Sequence, residues 1–197
     1  MVPGWYGIDV SATTAEPQLA RGGILADDMG LGKTLQYYPP ILDVWANFRI
    51  ISLLVANPKD SGIPYVPFPV KASGTLIVCP LSLLSNWTSQ IEQHLAPSTL
   101  SVLVFHGANK RDANLDLSKY DVVITSYGAL VADYKTEGLD KSTKKPLKSN
   151  RSLFGRMWKR VVLDEGHTIR NARTKMSRAA VRLDAVARWS LTGTYFC

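Results

Sequence analysis

Apolar residues in this chain gather in short continuous runs, set apart by polar turns and by stretches of helical periodicity. Gly23-Ile24-Leu25-Ala26 is the first run and leads into a glycine-rich turn. The run TLIVC at positions 75–79 is almost wholly apolar and stops at Pro80, the pattern of a strand buried on both faces. Behind it Leu83, Leu84, Trp87, Ile91 and Leu95 recur on one helical face and predict a helix from residue 82 or 83 to residue 94. Residues 101–105, 122–125 and 161–163 read as further strands. Met176, Ala179, Ala180, Leu183 and Val186 form a second helical stripe, and 189–192 reads as a closing strand. Strands that are nearly continuous in apolar character and alternate with helices predict an α/β fold, a parallel sheet with helices on both faces. Aromatic and Met positions within the stripes are expected in the core.

Composition narrows the classes. At 197 residues, 46% hydrophobic and 20% charged, the chain is globular rather than disordered. A chain of this size buries roughly 70% of its unfolded surface and needs no covalent staple. Its two cysteines, Cys79 and Cys197, form no CxxC pair, which excludes a disulfide scaffold and a cysteine-rich zinc module. The longest apolar runs fall far short of the roughly 18 residues of a membrane span, so no membrane partner is expected. The opening MVPGWYGIDVSATTAEP lacks the basic and apolar regions of a signal peptide. The net charge of +7 resides in one place. Residues 141–160 carry eight of the 23 Lys and Arg and no Asp or Glu, leaving 15 basic residues against 16 acidic ones elsewhere. A basic, solvated loop is the plain reading of that segment; phosphate tracking or nuclear import is the functional one.

Candidate chemistry centres on Ala26-Asp27-Asp28-Met29-Gly30-Leu31-Gly32-Lys33-Thr34, which follows a strand and would open a helix. Gly30 and Gly32 let the backbone curl so that N–H groups from Asp28 to Thr34, including those of Met29 and Leu31, point at phosphate oxygens. Lys33 would reach the β- and γ-phosphates of ATP, and the Thr34 hydroxyl would ligate Mg²⁺. The general phosphate-loop pattern wants Gly where Asp27 stands, so this motif alone is incomplete. A second motif supports it. Val161-Val162-Leu163-Asp164-Glu165-Gly166-His167 sets two carboxylates at the carboxyl end of an apolar strand, the sheet edge where ligands bind. There Asp164 would hold Mg²⁺ and Glu165 would orient and deprotonate the attacking water.

RGGILADDMGLGKTLQ (21–36), TLIVCPLSLLSNW (75–87), DVVITSYGAL (121–130), VVLDEGHTIRN (161–171) and WSLTGT (189–194) resemble motifs I, Ia, Ib, II and III of the SWI/SNF-type ATPases, superfamily-2 helicase-like DNA translocases. That family writes its phosphate loop with the acidic residue found here at Asp27. The DEGH form resembles the branch of the helicase-like transcription factor and its DNA-damage-tolerance relatives; an RNA helicase would carry DEAD and SAT. The resemblance implies a RecA-like P-loop NTPase lobe over 21–197 after an N-terminal extension of 1–20, a nuclear location, and duplex DNA, in chromatin for some members, as partner. It also implies that Pro80, Leu81, Ser82, Thr125, Ser126 and Tyr127 lie along the DNA backbone. His167, Thr192, Gly193 and Thr194 would couple nucleotide state to DNA grip. His94 and His106 have no motif support.

Three departures qualify the resemblance. The sequence ends at Cys197, soon after motif III, so a second lobe with its arginine finger is expected to be needed in cis; without that finger, which contributes about 10³–10⁵ in rate, hydrolysis should be slow. Tyr195-Phe196-Cys197 replaces the Pro and polar turn that follow LTGT in the family. Residues 37–49 (YYPPILDVWANFR) interrupt the helix after the phosphate loop, and Pro39-Pro40 should break it. Translated intron sequence would account for 37–49 and 195–197; a surface insertion is the alternative for 37–49. A catalytically silent nucleotide-binding interaction module is the competing function.

Overall fold

The structure, a computed structural model, describes residues 22–26, 41–58, 73–107, 115–136 and 152–192. The phosphate loop from Asp27 to Thr34, residues 37–40, the basic run up to residue 151, and Gly193, Thr194 and 195–197 lie outside the described residues.

Six strands form one sheet: β1 (Gly22–Ala26), β2 (Ser73–Cys79), β3 (Val102–Val104), β4 (Val122–Ser126), β5 (Met157–Leu163) and β6 (Asp184–Thr192). Every neighbouring pair is parallel, in the order β1-β6-β5-β2-β4-β3. Among the described residues four helices connect them: α1 (Ile41–Ala56), α2 (Leu84–His94), α3 (Tyr127–Thr136) and α4 (Lys175–Arg182).

Strand periodicity divides the core into two layers. Leu76, Val78, Val123, Val161 and Leu163 pack on one face with Tyr127 and Leu130 of α3 and with Ala179, Ala180 and Leu183 around α4. Ile77, Cys79, Val122, Ile124 and Val162 pack on the other face with Ile50, Ile51 and Leu54 of α1 and with Leu84, Trp87 and Ile91 of α2. Right-handed crossovers require connections that run in opposite directions along the sheet to lie on opposite faces. Accordingly α1 and α2 lead toward the β3 edge on one side, and α3 and α4 lead back toward β1 on the other. The chain leaves β2 and β5 in opposite directions, so the switch point of the sheet falls between these neighbours.

The predicted strands and parallel sheet are present, with differences of extent. A single 3₁₀ turn, Leu81–Leu83, precedes α2, so the regular helix begins after the expected start. The second helical stripe stops at Arg182, because Val186 belongs to β6, whose pairing with β5 begins at Met157↔Asp184. Met176, expected in the core, is 37% exposed. α1 starts directly after Pro39-Pro40 and absorbs most of the 37–49 segment into regular helix, with Asn47 buried. α3 was not expected as a helix, although Tyr127, Leu130, Val131 and Tyr134 carry helical spacing; Ser126 caps it, its Oγ accepting from Ala129 N at 3.1 Å.

The end of the basic segment departs most from its expectation. Residues 157–160 are strand, not loop, and Lys159 and Arg160 are each 4% exposed. Lys159 Nζ donates to Asn57 Oδ1 at 2.7 Å and to the Pro58 carbonyl, and the Arg160 guanidinium donates to the Asn57 carbonyl. These cations sit at the negative end of α1 and satisfy carbonyls beyond its last turn. Burial holds the Arg160 pKa below its ordinary value.

Candidate functional site

The carboxyl ends of the strands form one rim. Ala26 pairs with Thr192, Leu163 with Ser190 and with Val78, and Cys79 with Ser126, which brings the ends of β1, β6, β5, β2 and β4 into register. Asp164, Pro80, Thr125 to Tyr127 and Thr192 all follow or close strands at this rim. β1, which leads into the loop bearing Lys33, ends there too, two places from β5.

Asp164 sits at the switch point, 9% exposed, and its position is set from several directions. Its N–H donates to the Val78 carbonyl at 2.8 Å, continuing the β2–β5 ladder one residue past the strand. Its Oδ2 accepts from the Trp87 indole Nε1 at 2.8 Å, and its Oδ1 from the Glu165 N–H at 2.9 Å. Its carbonyl accepts from the Tyr127 hydroxyl at 2.8 Å. The charge of Asp164 is felt by its neighbours. Burial, then the Asp164 carboxylate, pushes the Cys79 thiol from 9.0 up to about 12. Burial, followed by the same carboxylate, Cys79 and Glu165, raises the Tyr127 phenol.

Glu165 adopts a left-handed backbone (φ 49°, ψ 55°), uncommon for a residue with a side chain and a form of strain that concentrates at functional sites. This turn ends the strand and starts the 3₁₀ segment Gly166–Ile169, with Thr168 N–H donating to the Glu165 carbonyl at 2.9 Å. His167 Nδ1 lies 3.0 Å from Glu165 Oε2 on the solvent side of the turn. Gly166 faces β6 so closely that a Cβ would stand 2.1 Å from Ser190 Oγ. The alanine of a DEAD sequence would therefore displace Ser190. Motifs II and III are in steric contact at this point.

The residues expected along DNA divide into two groups. Leu81 and Ser82 are exposed and Pro80 is half-buried, so this turn offers atoms to a partner. Thr125, Ser126 and Tyr127 are buried, and their hydroxyls bond within the protein: Thr125 Oγ1 donates to the Phe105 carbonyl at 2.9 Å, Ser126 caps α3, and Tyr127 reaches Asp164. Thr192 is buried at the end of β6. His94, at the far end of α2, and His106, just past β3, are exposed. Sequence reasoning assigned Trp87 to the core only. A buried indole N–H requires an acceptor, and that requirement was the available signal.

Among the described residues no cluster of three or more His, Cys, Asp or Glu side chains could hold a metal by itself. A single buried carboxylate at a strand end of the parallel sheet has the oxygen chemistry that fits Mg²⁺, which takes few protein ligands and completes its shell with phosphates and water. Five exposed cations, Arg170, Arg173, Lys175, Arg178 and Arg182, follow this turn with no acidic residue among them in sequence.

Comparison with known proteins places the fold and the motifs in one family. The SNF2-related domain matches residues 12–195. DNA repair protein RAD5B of Arabidopsis thaliana is 39% identical over 187 residues, 90% of this chain and 14% of that protein. The helicase-like transcription factor of Oryctolagus cuniculus is 44% identical over 129 residues, 64% of this chain and 12% of that one. A solved structure described as the Sulfolobus solfataricus SWI2/SNF2 ATPase core in complex with dsDNA aligns with a TM-score of 0.54 at 28% identity, over 90% of this chain and 28% of that one. The chain spans only 14% to 22% of the length of three plant relatives that it matches. A RecA-like parallel sheet, five motifs in order and a domain match across nearly all its residues together establish that this chain belongs to the SNF2-related family, the SWI/SNF-type ATPases.

Proposed function

We propose that this chain is the nucleotide-binding lobe of a nuclear, DNA-dependent ATPase acting in DNA repair or chromatin remodelling. The observation that carries the proposal is the position of Asp164: a buried carboxylate held by two hydrogen bonds, with a third on its backbone carbonyl, at the switch point of a parallel sheet whose phosphate-loop strand ends on the same rim. In this reading the backbone of Asp28 to Gly32 and the Lys33 ammonium hold the phosphates of ATP, while Thr34 and Asp164 hold Mg²⁺. Bound magnesium neutralises charge on the β- and γ-phosphate oxygens. Glu165 accepts the proton of the attacking water, and His167, 3.0 Å from its carboxylate, steadies it.

Duplex DNA would run past the exposed turn at Pro80, Leu81 and Ser82. Thr125, Ser126 and Tyr127 would brace that track from inside, with Arg170 and Arg173 adding positive charge beyond the rim turn. Such contacts position a phosphate backbone without reading its sequence. The archaeal SWI2/SNF2 core bound to dsDNA and the DNA-repair relatives support this choice of partner. His167, Thr192, Gly193 and Thr194 would carry nucleotide state to the track. A second lobe would supply the arginine finger.

Equilibrium binding of a fluorescent ATP analogue tests the first half. The unaltered chain should bind in the presence of Mg²⁺, and Lys33→Ala and Asp164→Asn should each weaken binding at least tenfold. Equal affinity in all three would end the proposal. Turnover tests the second half. Joined to a second lobe, the chain should hydrolyse ATP faster with duplex DNA, and Glu165→Gln should abolish the gain while leaving nucleotide bound. A silent interaction module would bind nucleotide yet show no DNA-stimulated turnover.

A further inference from the structure

The hydrogen bonds around Asp164 unite elements that the proposed function assigns to different tasks. Trp87 is fully buried in α2, and its indole N–H donates to Asp164 Oδ2 at 2.8 Å across 77 residues of sequence. α2 follows the exposed 3₁₀ turn Leu81–Leu83 without a break, so the turn and the indole belong to one continuous helical segment. From the other face of the sheet, Tyr127 at the start of α3 donates to the Asp164 carbonyl at 2.8 Å. Motif Ia thus grips the carboxylate of Asp164, and motif Ib grips its backbone.

We propose that Trp87 is a positioning residue through which duplex DNA at the Pro80–Ser82 turn sets the orientation of the magnesium-ligating carboxylate, with Tyr127 holding the backbone of Asp164 as the fixed point. The proposal rests on the functional reading above. Its physical basis is local. Oδ1 is tied to the Glu165 N–H within the same turn, whereas Oδ2 is held from outside that turn. Oδ2 meets a donor carried by a separate helix. A shift of α2 that lengthens the bond frees the carboxylate to rotate about χ2, which has no deep preferred wells. A shift that shortens it locks one oxygen and presents the other lone pairs in a single direction. DNA that biases α2 therefore biases metal and nucleotide affinity, and by linkage bound nucleotide biases DNA affinity by the same factor.

The test measures that factor. A fluorescent, non-hydrolysable Mg²⁺–nucleotide is titrated into the 197-residue chain with and without a short duplex, and the duplex is titrated with and without nucleotide. The unaltered chain should show the same ratio of dissociation constants in both directions, about fivefold or more, in the usual range of coupled sites. Trp87→Phe should bring the ratio to within about twofold of one. So should benzothienylalanine at the same position, which keeps the indole shape without the N–H and guards against a cavity effect. Coupling in the unaltered chain should also vanish in EDTA, because the route passes through the metal ligand.

A merely structural role for Trp87 would shift both titrations together and leave the ratio standing. Unchanged coupling in the benzothienylalanine protein overturns the inference, as does coupling that survives EDTA, or a ratio of one in an unaltered chain that binds both ligands. If the unaltered chain binds no nucleotide, the functional reading itself falls, and this inference with it.

Discussion

At the scale of single residues, the rim is defined by side chains that leave few alternatives. Gly166 has Ser190 Oγ where its own Cβ would be, 2.1 Å away, but Ser190 Cβ is at 3.5 Å, an ordinary contact. The clash therefore lies with one hydroxyl. Gly166→Ala alone should lower the melting temperature by several degrees, and adding Ser190→Ala should restore most of the loss; equal melting temperatures for single and double variants would refute the contact. Gly22 is more demanding, since its φ of +118° and a Cβ position 1.7 Å from the Arg188 carbonyl concern backbone that cannot turn aside. Cys79 and Tyr127 hold their protons in the folded protein and release them more readily when unfolded. Their folded pKa values are raised, so the stability they contribute is complete below pH 9.0, the thiol's ordinary value, and declines as pH climbs toward about 12. Thermal melts between pH 8 and 11 should show this fall, shallower in Tyr127→Phe. Alkylation at Cys79 should be slow until the protein unfolds.

At the scale of elements, α1 and β5 depend on each other through ends rather than faces. Carbonyls at Asn57 and Pro58, past the end of α1, find donors in Lys159 and Arg160 at the start of β5. Lys159→Ala should cost about 1–3 kcal/mol by chemical denaturation, because the carbonyls past the end of α1 lose a buried, charged donor. A loss within error would mean that water replaces the ammonium. Sequence alone presented these two cations as the tail of a solvated run, since charge density along a chain does not report which helix terminus waits nearby. Trp158 gives the complementary case. It is fully buried with its indole N–H on the Leu153 carbonyl at 2.8 Å, and Trp158→Ala should cost about 3–5 kcal/mol. Burial of that ring at the head of β5 was legible in the apolar pattern only from Val161 onward, because the preceding Lys and Arg disguised the strand.

At the scale of the whole molecule, the proposed DNA contacts are electrostatic and should scale with salt. Each phosphate engaged contributes a slope of about −0.9 to log K against log salt, so Arg170→Gln with Arg173→Gln should flatten the slope by up to about 2 without changing preference among duplex sequences. A sequence-dependent change would point to base contacts instead.

The amino-acid order by itself determined the parallel α/β architecture, through apolar runs too continuous for a half-exposed sheet, and it named the residues proposed to face phosphate and metal. It determined the family as well, since five motifs in sequence order need no coordinates. Periodicity, however, states only whether a residue faces inward. It carries no information on which buried donor meets which acceptor across 77 positions, so Trp87 read as plain core and Tyr127 as a DNA contact until folding brought both onto Asp164. Tertiary structure decided that pairing, because a buried polar atom takes the partner that space supplies, and space is set by the sheet order.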